Sequence, residues 1–173
     1  MLKILQFMRK RLIKMENYFE KMLRFSEQRE EEAKKYIQKK FKYQVESVQI
    51  IGFNSDDNSV NRIRGDLKIN LKNGTSKYVE VKSYRNVSDN ICFEVIETSD
   101  FDVILNFKQS DYYLFLIPDR EPLFLDYFLF STAFEKLKVG KKVCKNKSDN
   151  GRIMWFGIDT VIKEINNLVL GVA

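Results

Sequence analysis

The chain is expected to adopt an α/β fold, a mixed β-sheet flanked by helices with a long helix at the N-terminus. Three observations lead there. Residues 1–41 contain neither Pro nor Gly and repeat apolar side chains every three to four positions, the period of an amphipathic helix. From Val45 the apolar period falls to two, with Asn73-Gly74 between two alternating runs, which is the pattern of a β-hairpin. Residues 112–117 are nearly all apolar, as in a strand covered on both faces. A chain of 173 residues is sufficient for one hydrophobic core.

The first element carries Leu2, Leu5, Met8, Leu12, Met15, Phe19, Met22 and Leu23 as its apolar stripe, with Arg9, Lys10, Arg11 and Lys14 beside it. Residues 1–25 therefore read as a basic amphipathic helix for packing or for pairing in a homodimer, with contact to DNA or a membrane surface as further uses. A break is expected near Ser26, a capping residue type followed by Glu30, and it separates this helix from a body of residues 26–173. Val45, Val48, Ile50 and Ile51 predict a strand ending at Gly52, and residues 54–59 a polar loop. Ile63, Leu67, Ile69 and Leu71 alternate with polar residues. Lys72-Asn73-Gly74-Thr75 turns the chain on positive φ angles, and Tyr78, Val79 and Val81 return it.

Residues 91–96 predict a strand, 101–107 a short helix or irregular segment, 112–117 a buried strand and 123–129 its pairing partner. Ser131 is expected to cap a helix through Leu137, and the Lys-rich residues 138–147 to form a loop. Residues 153–158 should be a strand, and Asp159 should cap a last helix from Thr160 to about Leu168.

Composition limits the chemistry. There are no histidines, which excludes Ser-His-Asp and Cys-His triads, His-ligated zinc and an imidazole base. Two cysteines, Cys92 and Cys144, are too few for a disulfide framework or a four-thiolate metal site. No signal-peptide pattern opens the sequence, so a cytoplasmic setting is expected, and no run of about 20 apolar residues calls for a membrane span. The net charge is +6. Residues 1–24 and 135–152 each hold seven basic and two acidic side chains, leaving the rest mildly acidic. Basic zones around an acidic body suit phosphate binding beside a metal-binding carboxylate centre, and solvated surfaces give the same pattern.

The acidic candidates lie on the hairpin. Glu80 and Lys82 are two apart and share one face of their strand, and a register centred on Asn73-Gly74 brings Asp66 near them. A charged pair between Val79 and Val81 on a half-buried strand needs a partner or a metal. Two carboxylates suit Mg²⁺ or Mn²⁺ with phosphate oxygens, and a lysine can orient water or steady developing charge. The bland alternative is a surface hairpin with ordinary cross-strand ion pairs.

Helix, strand, Gly65-Asp66-Leu67 strand, turn and Val79-Glu80-Val81-Lys82 strand together resemble the core of the PD-(D/E)XK nuclease superfamily, which includes restriction enzymes and archaeal-type Holliday-junction resolvases. The resemblance covers roughly residues 26–118, with Gly65 where that family usually has Pro. It implies a restriction-endonuclease-like sheet and DNA hydrolysis, with Asp66 and Glu80, together with Val81, as Mg²⁺ or Mn²⁺ ligands and Lys82 as catalytic lysine. The family often adds a glutamate from the preceding helix. Glu30, Glu31 and Glu32 are available; at 100° per residue Glu30 shares the stripe of Ala33, Ile37 and Phe41, Glu32 flanks it and Glu31 points away.

Ser83, Tyr84 and Arg85 follow the lysine where a scissile phosphate could pass, or they end the strand. Lys141 and Lys142, with Lys145 and Lys147, suit phosphate contacts or a solvated loop. Lys108 and Asp111 resemble a pattern in phage-type relatives, or a turn. Glu94 joins the acidic cluster or faces solvent, and Trp155 is expected in the core. Two readings stand beside the nuclease: a nucleic-acid-binding module of the same fold that does not cut, and an assembly protein acting through its N-terminal helix.

Overall fold

The computed structural model describes residues 2–51, 64–98, 102–106, 110–145 and 151–170, and the side chains of the first helix from Glu16 onward, Phe19 excepted. The expected polar loop at 54–59, Ile63, Lys108, Lys147 and the apolar stripe through Met15 lie outside these residues and side chains.

Helix α1 runs from Leu2 to Lys40 without interruption. The break expected at Ser26 does not occur. Its hydroxyl donates to Glu30 Oε1, 3.1 Å away, so it serves a side chain one turn on and not a main-chain amide. Lys39 and Lys40 lie in the last turn, where cations favour the negative end of the helix dipole. The chain then turns through Phe41, whose carbonyl accepts from the Gln44 and Val45 amides at 2.9 Å.

Three strands follow: β1 (Val45–Ile50), β2 (Leu67–Leu71) and β3 (Ser76–Ser83). The β2–β3 hairpin pairs Asn70 with Ser76 and Leu67 with Val79. Its turn is tighter in chemistry than expected, because only Gly74 has positive φ, 81°. The Gly74 amide donates to Leu71 O and the Leu71 amide to Thr75 O, a three-residue loop with one left-handed position. Asn73 contributes its side chain, which accepts from the Thr75 amide and hydroxyl.

Next come β4 (Asn90–Glu97) and β5 (Val103–Leu105), the latter a strand where a helix or irregular segment was expected. β6 (Tyr112–Leu116) pairs with β7 (Leu123–Asp126), and α2 (Tyr127–Leu137) starts directly after. Asp126 caps α2 by accepting from the Leu129 amide at 3.0 Å. Ser131 is therefore not the cap; its hydroxyl donates to Phe128 O inside the helix. β8 (Cys144–Lys145), β9 (Arg152–Gly157) and α3 (Ile158–Val169) complete the chain. α3 begins one residue before Asp159, and its first amide donates to Asp89 O.

The strands form two sheets, not one. The first has order β1-β2-β3-β6-β7 and is mixed, with β3 and β6 parallel. The second, order β5-β4-β9-β8, is antiparallel throughout. Alternation along β6 assigns the faces. Leu114 and Leu116 pack with Ala33 and Ile37 of α1, and with Val48, Leu67, Ile69 and Val79. Tyr113 and Phe115 pack into the other core, with Phe93, Met154 and Phe156 of the second sheet and Phe130, Phe134 and Val161 of α2 and α3. The molecule is thus mixed α/β, with α1 on one face of the mixed sheet and the second sheet and two helices on the other. Among the described residues no helix is long and apolar enough to cross a membrane.

Candidate functional site

The site forms where β2 and β3 part. Their main-chain ladder ends with the Asp66 amide donating to Val79 O at 2.9 Å. The next amide, that of Val81, donates instead to Asp66 Oδ2 at 2.7 Å. A carboxylate thus continues the ladder by one rung, and this fixes its position. Gly65 makes the close approach possible. It has φ +112°, and a Cβ there would lie 2.7 Å from Val79 O and 2.8 Å from Ser110 Oγ. Proline, whose φ is held near −65°, cannot adopt this backbone. The buried Ser110 hydroxyl donates to Arg64 O at 2.8 Å and pins the segment from behind.

Glu80 and Lys82 lie on the same face of β3. The Glu80 side chain is 4% exposed, and Lys82 Nζ sits 3.0 Å from its Oε1. The same ammonium donates to Glu94 Oε1 of the second sheet at 3.1 Å, and Asn106 Nδ2 donates to the other Glu94 oxygen at 3.3 Å. Burial works against the charge of Lys82, but Glu80 and Glu94 outweigh it and hold its pKa above the usual lysine range. Lys82 is therefore an ammonium at neutral pH.

Helix α1 supplies the third carboxylate. Glu30, Asp66 and Glu80 line one cavity of about 110 Å³ together with Ser26, Arg29, Val81 and Ser83. Ala33 and Ile37, one and two turns on, are fully buried against the sheet, and the 3.6-residue period carries Glu30 to the same side. Glu31 and Glu32 are exposed and pair along the helix, with Lys34 at 3.8 Å and Arg29 at 2.6 Å. Burial raises the pKa of Glu30 above the usual carboxylate value, the hydrogen bond from Ser26 opposes this, and the nearby Glu27 adds to the rise.

Among the described residues, no three histidine, cysteine, aspartate or glutamate side chains are gathered into a preformed metal cage. The cavity is nevertheless lined by the acidic residues Glu30, Asp66 and Glu80 together with Val81, which bring carboxylate and main-chain oxygens to its surroundings. This chemistry fits Mg²⁺ or Mn²⁺, which take one or two carboxylates and keep several waters. A roomier cavity, about 380 Å³, lies at the end of the sheet between Phe41, Leu71, Tyr112, Phe124 and Ile165. It is mainly apolar and holds no cluster of carboxylates.

The remaining candidates are dispersed. Tyr84 packs against the second core, and its hydroxyl accepts from the Cys92 amide at 2.8 Å, so its ring is not offered for stacking. Arg85 is exposed beside α1, its guanidinium 5.2 Å from the centre of the Phe25 ring. Lys141 and Lys142 are exposed between α2 and β8 and do not line the carboxylate cavity. Asp111 ties strands together, receiving Lys77 Nζ at 2.6 Å and the Tyr78 amide at 2.8 Å. Trp155 is not a core residue; it is 42% exposed on β9. Arg29 and Asn106 were not foreseen. Arg29 stands one residue from Glu30 and was masked by the acidic run, and Asn106 carries no signal in the sequence.

No family model, curated protein or solved structure matches this chain.

Proposed function

We propose that this chain is a metal-dependent nuclease of restriction-endonuclease-like fold that hydrolyses DNA phosphodiester bonds at the carboxylate cavity. The observation that carries this reading is the convergence of Glu30, Asp66 and Glu80 from three elements on one small cavity, with Lys82 against Glu80. Asp66, Glu80 and the main-chain oxygen of Val81 would hold Mg²⁺ or Mn²⁺, with Glu30 completing the set. Such an ion, when bound, polarises the phosphoryl group and makes water more acidic.

The chain's own groups do the positioning. The Val81 amide holds the Asp66 carboxylate, and Ser26 holds that of Glu30. Lys82, protonated, donates to the attacking water or to the phosphate as its charge grows; it does not act as a base. The Lys82–Glu80 ion pair favours a second reading, a nucleic-acid-binding module of this fold that does not cut, because an ammonium can neutralise the carboxylate in place of a metal.

Full-length protein incubated with duplex, branched and single-stranded DNA in Mg²⁺ or Mn²⁺ separates the two. Metal-dependent cutting that falls at least about a hundredfold in Lys82→Ala supports the nuclease. Binding without cutting supports the second reading, and a protein that neither cuts nor binds supports neither. In melts without DNA, ion at a hundredfold excess over its dissociation constant should stabilise the protein by about 2.7 kcal/mol, and Asp66→Ala should abolish the shift.

A further inference from the structure

We infer that Arg29 and Arg85, gathered on the ring of Phe25, form a clamp for the backbone phosphates of a DNA strand at the mouth of the carboxylate cavity. The inference rests on the nuclease reading of that cavity and names residues that would hold its substrate. Arg29 lines the cavity, and its guanidinium lies 5.2 Å from the Phe25 ring centre. Arg85 reaches the same ring, also at 5.2 Å, from the chain leaving β3. The shared ring keeps the two guanidinium carbons within about 10 Å of each other.

The partners of these two cations differ from those of the other charged groups at the site. Arg85 is exposed, its Nη2 rests against Met22 Sδ, a weak acceptor, and among the described residues it has no carboxylate partner. Arg29, its side chain 22% exposed, pairs at 2.6 Å with Glu32, whose side chain is 50% exposed, so the carboxylate that a phosphate would displace lies on the solvent side. A guanidinium lying against a ring keeps its in-plane N–H groups for other acceptors, and its fork matches two phosphate oxygens. A polyanion entering a cavity of three carboxylates needs positive charge at the rim to offset their repulsion. Packing alone would be served equally by an uncharged side chain at position 85.

The test is binding of fluorescently labelled duplex and single-stranded DNA by the full chain in EDTA, over a series of salt concentrations, for wild type, Arg85→Gln, Arg29→Gln and Lys141→Gln/Lys142→Gln. Glutamine keeps a planar polar group, two bonds shorter, and removes the charge and the guanidinium fork. For each arginine variant the expected result is about tenfold weaker binding and a salt slope reduced by about one, with the melting temperature unchanged. The lysine pair should leave both readings as in wild type. Wild type that fails to bind DNA, or arginine variants that keep wild-type affinity and slope, would overturn the clamp, even if the protein cuts DNA. A reduced slope in a protein that never cuts would keep the clamp and remove the nuclease reading.

Discussion

At the scale of single residues, Glu80 sets the terms. It is a nearly buried carboxylate whose oxygen meets the Lys82 ammonium at 3.0 Å, so Lys82→Ala strips a buried charge of its counterion. That should cost roughly 1–3 kcal/mol in chemical denaturation. Glu80→Gln/Lys82→Met removes both charges and should be more stable than Lys82→Ala. A double mutant no better than the single would show that the pair contributes nothing. Glu30 behaves differently. Its folded pKa is raised by burial, so the folded state binds the proton more tightly than the unfolded chain. Wild-type stability therefore falls as pH rises through the window that opens at about the unfolded value of 4.5 and closes at the folded pKa. Glu30→Gln lacks this loss, so it should melt higher than wild type at pH 7 and equal to it at pH 4. A variant that melts lower at pH 7 would contradict the assignment.

At the scale of elements, the parting of β2 and β3 depends on Gly65. With φ +112° and Val79 O 2.7 Å from any added Cβ, Gly65→Ala must move a main-chain atom, and a cost above about 2 kcal/mol is expected. The displacement falls on Asp66, so metal binding measured by calorimetry should weaken together with stability. Unchanged stability would mean that the backbone there relaxes freely. The hairpin was legible in the sequence because a tight turn and a period of two fix register over a few residues. Its turn type was not, because Asn73 could serve either through its backbone or through its side chain, and it uses the side chain. The start of α2 was missed for a related reason. Residues 123–129 are apolar enough for a strand, and only the hydrogen bond from the Leu129 amide to Asp126 marks where the helix begins.

At the scale of the whole molecule, two sheets meet through one aromatic cluster. Phe93 stacks on Phe130 at 3.9 Å and meets Tyr113, Phe115 and Phe156 edge-on or tilted. Phe93→Ala should cost about 3–5 kcal/mol. It should also loosen β4, which carries Glu94, the second partner of Lys82. The measurement is a denaturant midpoint together with hydrogen exchange at β4. Loss confined to β4 with the mixed sheet unaffected would mean that the two sheets are energetically separate.

The local periods of the chain were enough to determine the hairpin, the buried strand at 112–117, the approach of Asp66 to Glu80 and the helical start of the chain, though not its lack of a break at Ser26. They also indicated which of three consecutive glutamates faces the sheet. Each of these depends on residues within one helical face or one turn, where backbone geometry acts over short distances. The second sheet, the parallel neighbour of β3, the bridge from Lys82 to Glu94 and the Phe25 ring shared by Arg29 and Arg85 were settled by folding. In those contacts the partners come from separate elements, and packing of apolar faces brings them together without any repeating pattern to mark them beforehand.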